Sequence, residues 1–314
     1  MATIKKPNPD NWIGRKSDHQ LYLHEKVEFD AVDSIVENTI TLIGYTCDEG
    51  VKRNQGRIGA IDGPDAIRTQ LGKMPNHMNV EMKFIDYGNI ECENGDMEAA
   101  QNLLKQEVSQ LLAYKAFPII IGGGHDIAYG HYNGISKYIG TNETIGIINF
   151  DAHFDLRANE NGNNSGTPFY QIAQDCQENG STFNYLCLGI RKDANDKTLF
   201  KTASDFGVEY IENNEFSIEN AKFIVRTLLD FIQKVDYIYV TIDLDGFSSA
   251  YAPGVSAPSP TGFTPKIVLE TLEIITKSKK LISMDIAEMN PKYDIDNQTG
   301  KLAASLIHHV MHSI

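Results

Sequence analysis

The chain has 314 residues, with 42 Asp and Glu against 28 Lys and Arg, for a formal net charge of −14. That length suits one large α/β domain, and the acidic balance excludes a nucleic-acid or anionic-membrane partner unless a basic stripe exists, which the sequence lacks. No apolar run approaches the ~20 residues that cross a bilayer, and the N-terminus lacks the apolar core of a signal peptide, so the expected location is cytoplasmic. Four scattered cysteines (Cys47, Cys92, Cys176, Cys187) have no C-x-x-C spacing and are read as reduced thiols, Cys187 within a buried strand.

The first 35 residues are polar and turn-rich. They are expected to form an arm, packed over the core or disordered, with Trp12 as its anchor. Eight β-rich runs follow: Ile40 to Tyr45, Lys83 to Tyr87, Phe117 to Ile121, Thr144 to Phe150, Tyr185 to Ile190, Val208 to Ile211, Tyr237 to Asp243 and Leu281 to Ile286. Several are continuously apolar, as strands covered on both faces are. Between them, Met97 to Ala113, Ala221 to Phe231 and Pro265 to Ile275 carry apolar residues at spacings of three and four, which predicts helices. Strands alternating with helices imply βαβ units and a mostly parallel sheet in one domain spanning 1–314.

In open parallel sheets ligands sit at the carboxyl ends of the strands, and the unusual residues of this chain fall there. After the third run comes Gly122-Gly123-Gly124-His125-Asp126. The glycines permit a sharp turn and close approach, but no Gly-Lys-Ser/Thr follows, so this is not a Walker loop. Alone, His125 would be an ordinary structural histidine.

The fourth run ends Asp151-Ala152-His153-Phe154-Asp155, and strand alternation would put Asp151, His153 and Asp155 on one face. The seventh ends Asp243-Leu244-Asp245-Gly246, with two more carboxylates at period two. Four carboxylates and two imidazoles at three strand ends are too many for one Mg²⁺, which binds few protein ligands. They suit two bridged divalent ions. The mixed oxygen and nitrogen donors favour two Mn²⁺, with Fe²⁺, Co²⁺ or Zn²⁺ as alternatives.

These three motifs, in this order and spacing, resemble the binuclear manganese signature of the ureohydrolase family of arginases, agmatinases and formimidoylglutamases. The match runs from about residue 40 to the end. It includes Asp285-Ile286-Ala287-Glu288-Met289-Asn290-Pro291, similar to the family segment whose glutamate holds the substrate's guanidinium or amidine. The resemblance implies a three-layer α-β-α fold with an eight-stranded mostly parallel sheet. It further implies that Asp151 and Asp243 bridge the metals, that His125 and Asp155 complete one site, and that His153 and Asp245 complete the other. A homotrimer or homohexamer is expected from the same source.

Within the family, arginases and agmatinases carry a histidine in the loop where this chain has Ser165. The segment Asp48 to Ala60, Phe154-Asp155-Leu156-Arg157 and Ser165-Gly166-Thr167-Pro168-Phe169 resemble the formimidoylglutamase branch instead. The implied reaction is hydrolysis of N-formimidoyl-L-glutamate to L-glutamate and formamide, a step of histidine degradation, through a hydroxide bridging the metals. An agmatinase, guanidinobutyrase or related guanidino hydrolase is the alternative, and a catalytically silent metal-binding or regulatory protein is a third reading. Two substrate carboxylates call for arginine forks, so Arg157 and Arg191 are expected in the pocket wall, with Arg57 a third candidate. Asn161, in the loop Asn159 to Asn164, and Ser165 are expected to hydrogen-bond the same groups. Glu288 would fix the amidinium, and Asp155 would pass a proton to the departing nitrogen. His131 reads as structural, and His308, His309 and His312 as part of a docking helix.

Overall fold

A computed structural model describes residues 1–17, 19–29 and 35–314; positions 18 and 30–34 of the expected arm lie outside the described residues. Ten strands form one sheet: β1 (Ala2–Lys5), β2 (Glu28–Phe29), β3 (Thr39–Thr46), β4 (Lys83–Cys92), β5 (Phe117–Gly122), β6 (Ile145–Phe150), β7 (Asn184–Ile190), β8 (Glu209–Glu212), β9 (Tyr237–Asp243) and β10 (Leu281–Ala287). The spatial order is β1-β4-β3-β5-β10-β9-β6-β7-β8, with β2 also pairing β4. Every pairing is parallel except β1 on β4.

The eight expected strands are β3 to β10. The sheet is wider than expected because the arm adds β1 and β2. β1 joins β4 through main-chain pairing, Ala2 opposite Cys92 and Lys5 opposite Asn89, with an exposed Lys5–Glu91 ion pair at 2.8 Å beside it, and its side chains are mostly exposed. A strand held this way leaves no apolar signature. Further along the arm, Trp12 is buried and its indole N–H donates to Asp86 at 2.7 Å, so the anchor is a buried polar contact as well as an apolar one.

The helices are α1 (Leu23–Lys26), α2 (Glu49–Arg53), α3 (Gly63–Leu71), α4 (Met97–Ala113), α5 (Ile127–Ile139), α6 (Pro168–Asn179), α7 (Lys197–Asp205), α8 (Ala221–Gln233), α9 (Pro265–Lys277) and α10 (Gln298–Met311). Helices α4 to α7 cover one face of the sheet, through Leu104, Val108, Ile135, Ile172 and Leu199. Helices α3 and α8 to α10 cover the other, through Ile67, Leu228, Ile267, Leu272 and Leu306. Three layers result, and each large aliphatic side chain taken fully from water contributes about 1.5–3 kcal/mol.

Helix α4 shows how the pattern becomes structure. Its apolar positions Met97, Ala100, Leu104, Val108 and Leu111 are buried, and the Asp96 carboxylate caps it by accepting from the Ala99 N–H at 3.2 Å. Against it, α5 presents Gly130, where a Cβ would lie 2.6 Å from the Gln101 carbonyl, so only glycine allows that approach. Among the described residues no helix is long and apolar enough to cross a membrane.

Candidate metal centre

Strands β5, β10, β9 and β6 are consecutive neighbours at the middle of the sheet, although β7 and β8 intervene in sequence between β6 and β9. Their carboxyl ends therefore converge. After β5 the chain turns at Gly123, where a Cβ would sit 1.8 Å from the Cys47 carbonyl; the Gly123 and Gly124 N–H groups donate to Tyr45 O and Cys47 O at 2.8 and 2.9 Å. This pins the turn and sends the His125 side chain, 1% exposed, beneath the strand ends.

Asp151, His153 and Asp155 do come together, but the expected reason was wrong. β6 stops at Phe150, and 151–155 is loop, not strand. The Asp151 carboxylate accepts from the His153 N–H at 2.7 Å, and Asp155 adopts a left-handed backbone, φ 48°. Such a conformation is costly for a non-glycine residue and survives where surrounding contacts impose it. Likewise Asp243 is the last residue of β9, and Asp245 lies in the tight turn that follows, its N–H donating to Asp243 Oδ1 at 2.8 Å. Glu288 follows β10 with φ 67°; its N–H donates to Gly123 O at 2.8 Å, and its Oε1 accepts from the His125 N–H at 3.1 Å.

The side chains form two abutting clusters: His125, Asp151, Asp155 and Asp243, and Asp151, His153 and Asp245, with candidate ligand atoms within 4.8 Å of one another in each. His125 Nδ1 faces Asp155, Asp151 and Asp243 at 2.9, 3.1 and 3.2 Å. His153 Nδ1 faces Asp245 and Asp151 at 3.3 and 3.5 Å. Asp151 belongs to both clusters, whereas Asp243, one of whose oxygens takes the Asp245 N–H, groups with the first alone.

The electrostatics are those of an anion-rich cavity. Burial, reinforced by the neighbouring carboxylates, pushes Asp243, Asp155 and Glu288 up, and burial lifts Asp245 to about 6. Burial opposes charging of His125 and His153, yet the carboxylates around them outweigh it and raise both well above the ordinary histidine value. Burial also acts against Asp151, but the two imidazoles hold it below the usual carboxylate range. Meanwhile Asp245 Oδ1 and Glu288 Oε2 are buried without a hydrogen-bond partner. Four aspartates, two imidazoles and unpartnered buried oxygens are a donor set that cations would satisfy, and it fits a binuclear divalent metal site.

Above the cluster opens a cavity of ≈ 310 Å³ lined by His125, His153, Asp155, Asp243, Asp245 and Glu288. Arg157 and Ser165 also line it. Arg57 does too, but its guanidinium donates to Ser256 O and Val255 O at 2.9 and 2.6 Å and stacks 3.8 Å over Tyr293, which makes it a brace for the wall. Arg191 is not brought there. Its fork is taken by Asp193 at 2.5 Å and by Ser259 at 2.7 Å, and it lines a separate depression beside Lys192 and Thr261. Asn161 is exposed and does not line the cavity either.

Sequence reasoning assigned no role to Asn54. Its Oδ1 accepts from Arg157 Nη1 at 3.1 Å while its Nδ2 donates to Ser165 Oγ at 3.1 Å, so one amide orients both groups. The only signal available was its place within the segment Asp48 to Ala60.

The model of the arginase family matches residues 38–313. The chain is 42% identical over 276 residues to formimidoylglutamase of Clostridium tetani, covering 87% of this chain and 82% of that protein. It is 40% identical to formimidoylglutamase of Aeromonas salmonicida, over 95% of each. Among solved structures, a variant of Trypanosoma cruzi formiminoglutamase with Mn²⁺ superposes with a TM-score of 0.80 at 26% identity, over 90% of this chain and 95% of that one.

Proposed function

The chain belongs to the arginase family, and from that premise we propose that it hydrolyses N-formimidoyl-L-glutamate to L-glutamate and formamide, as the names of its relatives indicate. The observation that carries this reading is the pairing, in one cavity, of a buried carboxylate with an unpartnered oxygen, Glu288, and an arginine oriented by a neighbouring amide, Arg157. The substrate has the matching poles, an amidinium and two carboxylates. An agmatine pocket would have no use for a fixed cation, since that ligand carries positive charge at both ends.

The residues divide the work as follows. His125 and Asp155 would hold one ion and His153 and Asp245 the other, with Asp151 serving both as its place in both clusters allows and Asp243 doing so as the family resemblance implies. The mixed imidazole and carboxylate set suits Mn²⁺. When bound, the ions supply a hydroxide nucleophile at neutral pH, because divalent metals bring the pKa of water from 15.7 to about 7. Glu288, fixed at Oε1 by the His125 N–H, presents Oε2 to the amidinium and orients the formimidoyl carbon. The oxygen of water bonds to that carbon, the bond from carbon to the glutamate nitrogen breaks, and Asp155 passes a proton to the departing nitrogen. Arg157 and Ser165, joined through Asn54, hold the carboxylates. A single sheet running from residue 2 to residue 287 supports treating 1–314 as one domain with its first 35 residues as an arm. Family membership supports the cytoplasmic location and the trimeric or hexameric assembly.

The deciding assay compares Mn²⁺-dependent formamide release from formimidoylglutamate with urea release from agmatine and guanidinobutyrate. Formamide release should dominate; faster urea release would replace this reading with the guanidino hydrolase.

A further inference from the structure

We infer that the buried pair of His131 and Asp285 acts through Thr241 as a positioning device which locks the ring of His125 so that Nδ1 faces the metal cluster. The groups sit on facing positions of neighbouring strands. Thr241 of β9 is in register with Asp285 of β10, and Tyr239 with Ser283, so all four project toward α5, which carries His131. Tyr239, Thr241, Ser283, Asp285 and His131 are each 0% exposed.

The contacts run as one chain from Ser283 to Thr241. Ser283 Oγ lies 2.7 Å from Pro118 O, and a carbonyl oxygen only accepts, so the single hydroxyl proton of Ser283 is spent there. His131 Nε2 lies 2.7 Å from that same Oγ and must therefore be the donor. His131 Nδ1 lies 2.6 Å from Asp285 Oδ2, which also accepts from the Tyr239 hydroxyl. Asp285 thereby ties together three buried groups, His131, Tyr239 and Thr241.

The consequence reaches the metal centre. Thr241 Oγ1, 2.6 Å from Asp285 Oδ1, must donate to it, and so Thr241 accepts from His125 Nε2 at 2.9 Å. Nε2 of His125 is thereby engaged as the donor to Thr241, which leaves Nδ1 as the nitrogen that faces Asp151, Asp155 and Asp243 and that would ligate a bound ion. An outer partner that fixes the tautomer of a ligating histidine is a recurring device in metal sites. Here the partner would reach four residues deep, to His131 and Ser283, which the hydrolysis never touches.

This positioning role rests on the metal reading and is independent of the proposed substrate. Selective ¹⁵N labelling of histidine in the full-length chain loaded with diamagnetic Zn²⁺ tests it, with the His125 signals assigned by their loss in His125→Gln. Nε2 of His125 should carry the proton and Nδ1 should not; the reverse arrangement overturns the proposal. The link to His125 is tested by Mn²⁺ titration followed by electron paramagnetic resonance. Thr241→Val, which keeps the side-chain shape, should weaken Mn²⁺ binding about 10- to 100-fold, and Thr241→Ser should restore it. Equal affinity in Val and Ser variants would sink the positioning role. Failure of the formimidoylglutamate assay would leave both readouts unchanged.

Discussion

Arg68 of α3 meets Asp86 of β4, and the metal cluster lies at the ends of β5, β6, β9 and β10; both regions bury charge almost completely. Around Asp86 every demand is met by the chain. Its two oxygens take Arg68 Nε and Nη2, each at 2.8 Å, the Trp12 indole and the Gly88 N–H, while Arg68 uses its remaining nitrogen on Asn89 at 2.7 Å. Around Asp151 the opposite holds: four aspartates and Glu288 face two imidazoles, and Asp245 and Glu288 each keep a buried oxygen without a partner. The comparison gives a working rule. A buried charge whose hydrogen-bond inventory closes within the chain is structural, and one whose inventory stays open marks where something else must bind.

Substitutions with opposite effects would test that rule. Asp243→Asn should lower activity by more than about a hundredfold, since the outer partners of metal ligands alone are worth about 10- to 100-fold. The same change should raise the melting temperature of the metal-free protein. Burial holds the Asp243 carboxyl well above its unfolded value, so above the ordinary carboxylate range this group costs stability, and removing it relieves that cost. Asp86→Asn should do the reverse, destabilising the fold by about 3–5 kcal/mol because Arg68 is left buried and uncompensated. A fall in the metal-free melting temperature of Asp243→Asn would break the comparison.

Arginine substitutions sharpen it at the substrate end. Arg157→Ala should raise KM for formimidoylglutamate about tenfold, the scale of one lost charge-assisted contact of about 1.4 kcal/mol, while Arg191→Ala should change it less than about twofold. Steady-state kinetics on the two variants separates an arginine that faces the cavity from one closed onto Asp193.

The smallest effect belongs to His308 and His312, which are half-buried at the end of α10 with their rings 4.0 Å apart. Burial, and then the neighbouring imidazoles, lowers both. A histidine whose folded value lies below its unfolded one binds fewer protons in the native state, so its stabilising contribution is present above about pH 6.5 and is lost as the pH falls. Protection factors in α10, corrected for the intrinsic pH dependence of exchange, should therefore fall on acidification below about pH 6.5; protection that stays constant between about pH 7.5 and about pH 5.5 would contradict this.

Much of this was legible in the residues. The apolar runs located β3 to β10 because strands buried on both faces must be apolar, and the period of three and four located α4, α8 and α9. β1 and β2 were not legible, because strands of four and two residues with few buried side chains carry no apolar run. The six candidate ligands were visible as motifs at strand ends. Asp155 reached the cluster by a left-handed loop rather than by strand alternation, which spacing alone could not distinguish. Arg191 looked equivalent to Arg157 from its place after a strand; Asp193, two residues on, captures its fork.

The sequence by itself determined the alternation of strands and helices and the donor set, because these depend on local period and residue type, while the three layers and the hydrolytic chemistry were implied by the family resemblance. Only the tertiary structure decided which groups meet. The order β5-β10-β9-β6 brings Glu288 to the backbone N–H of His125, 163 positions away. Asn54 meets Ser165 across 111 positions, and the chain from Ser283 through His131 to His125 crosses two strands and a helix. Such contacts depend on how strands are ordered and how closely helices approach them, and those are set by the packing of the whole core rather than by any segment within it.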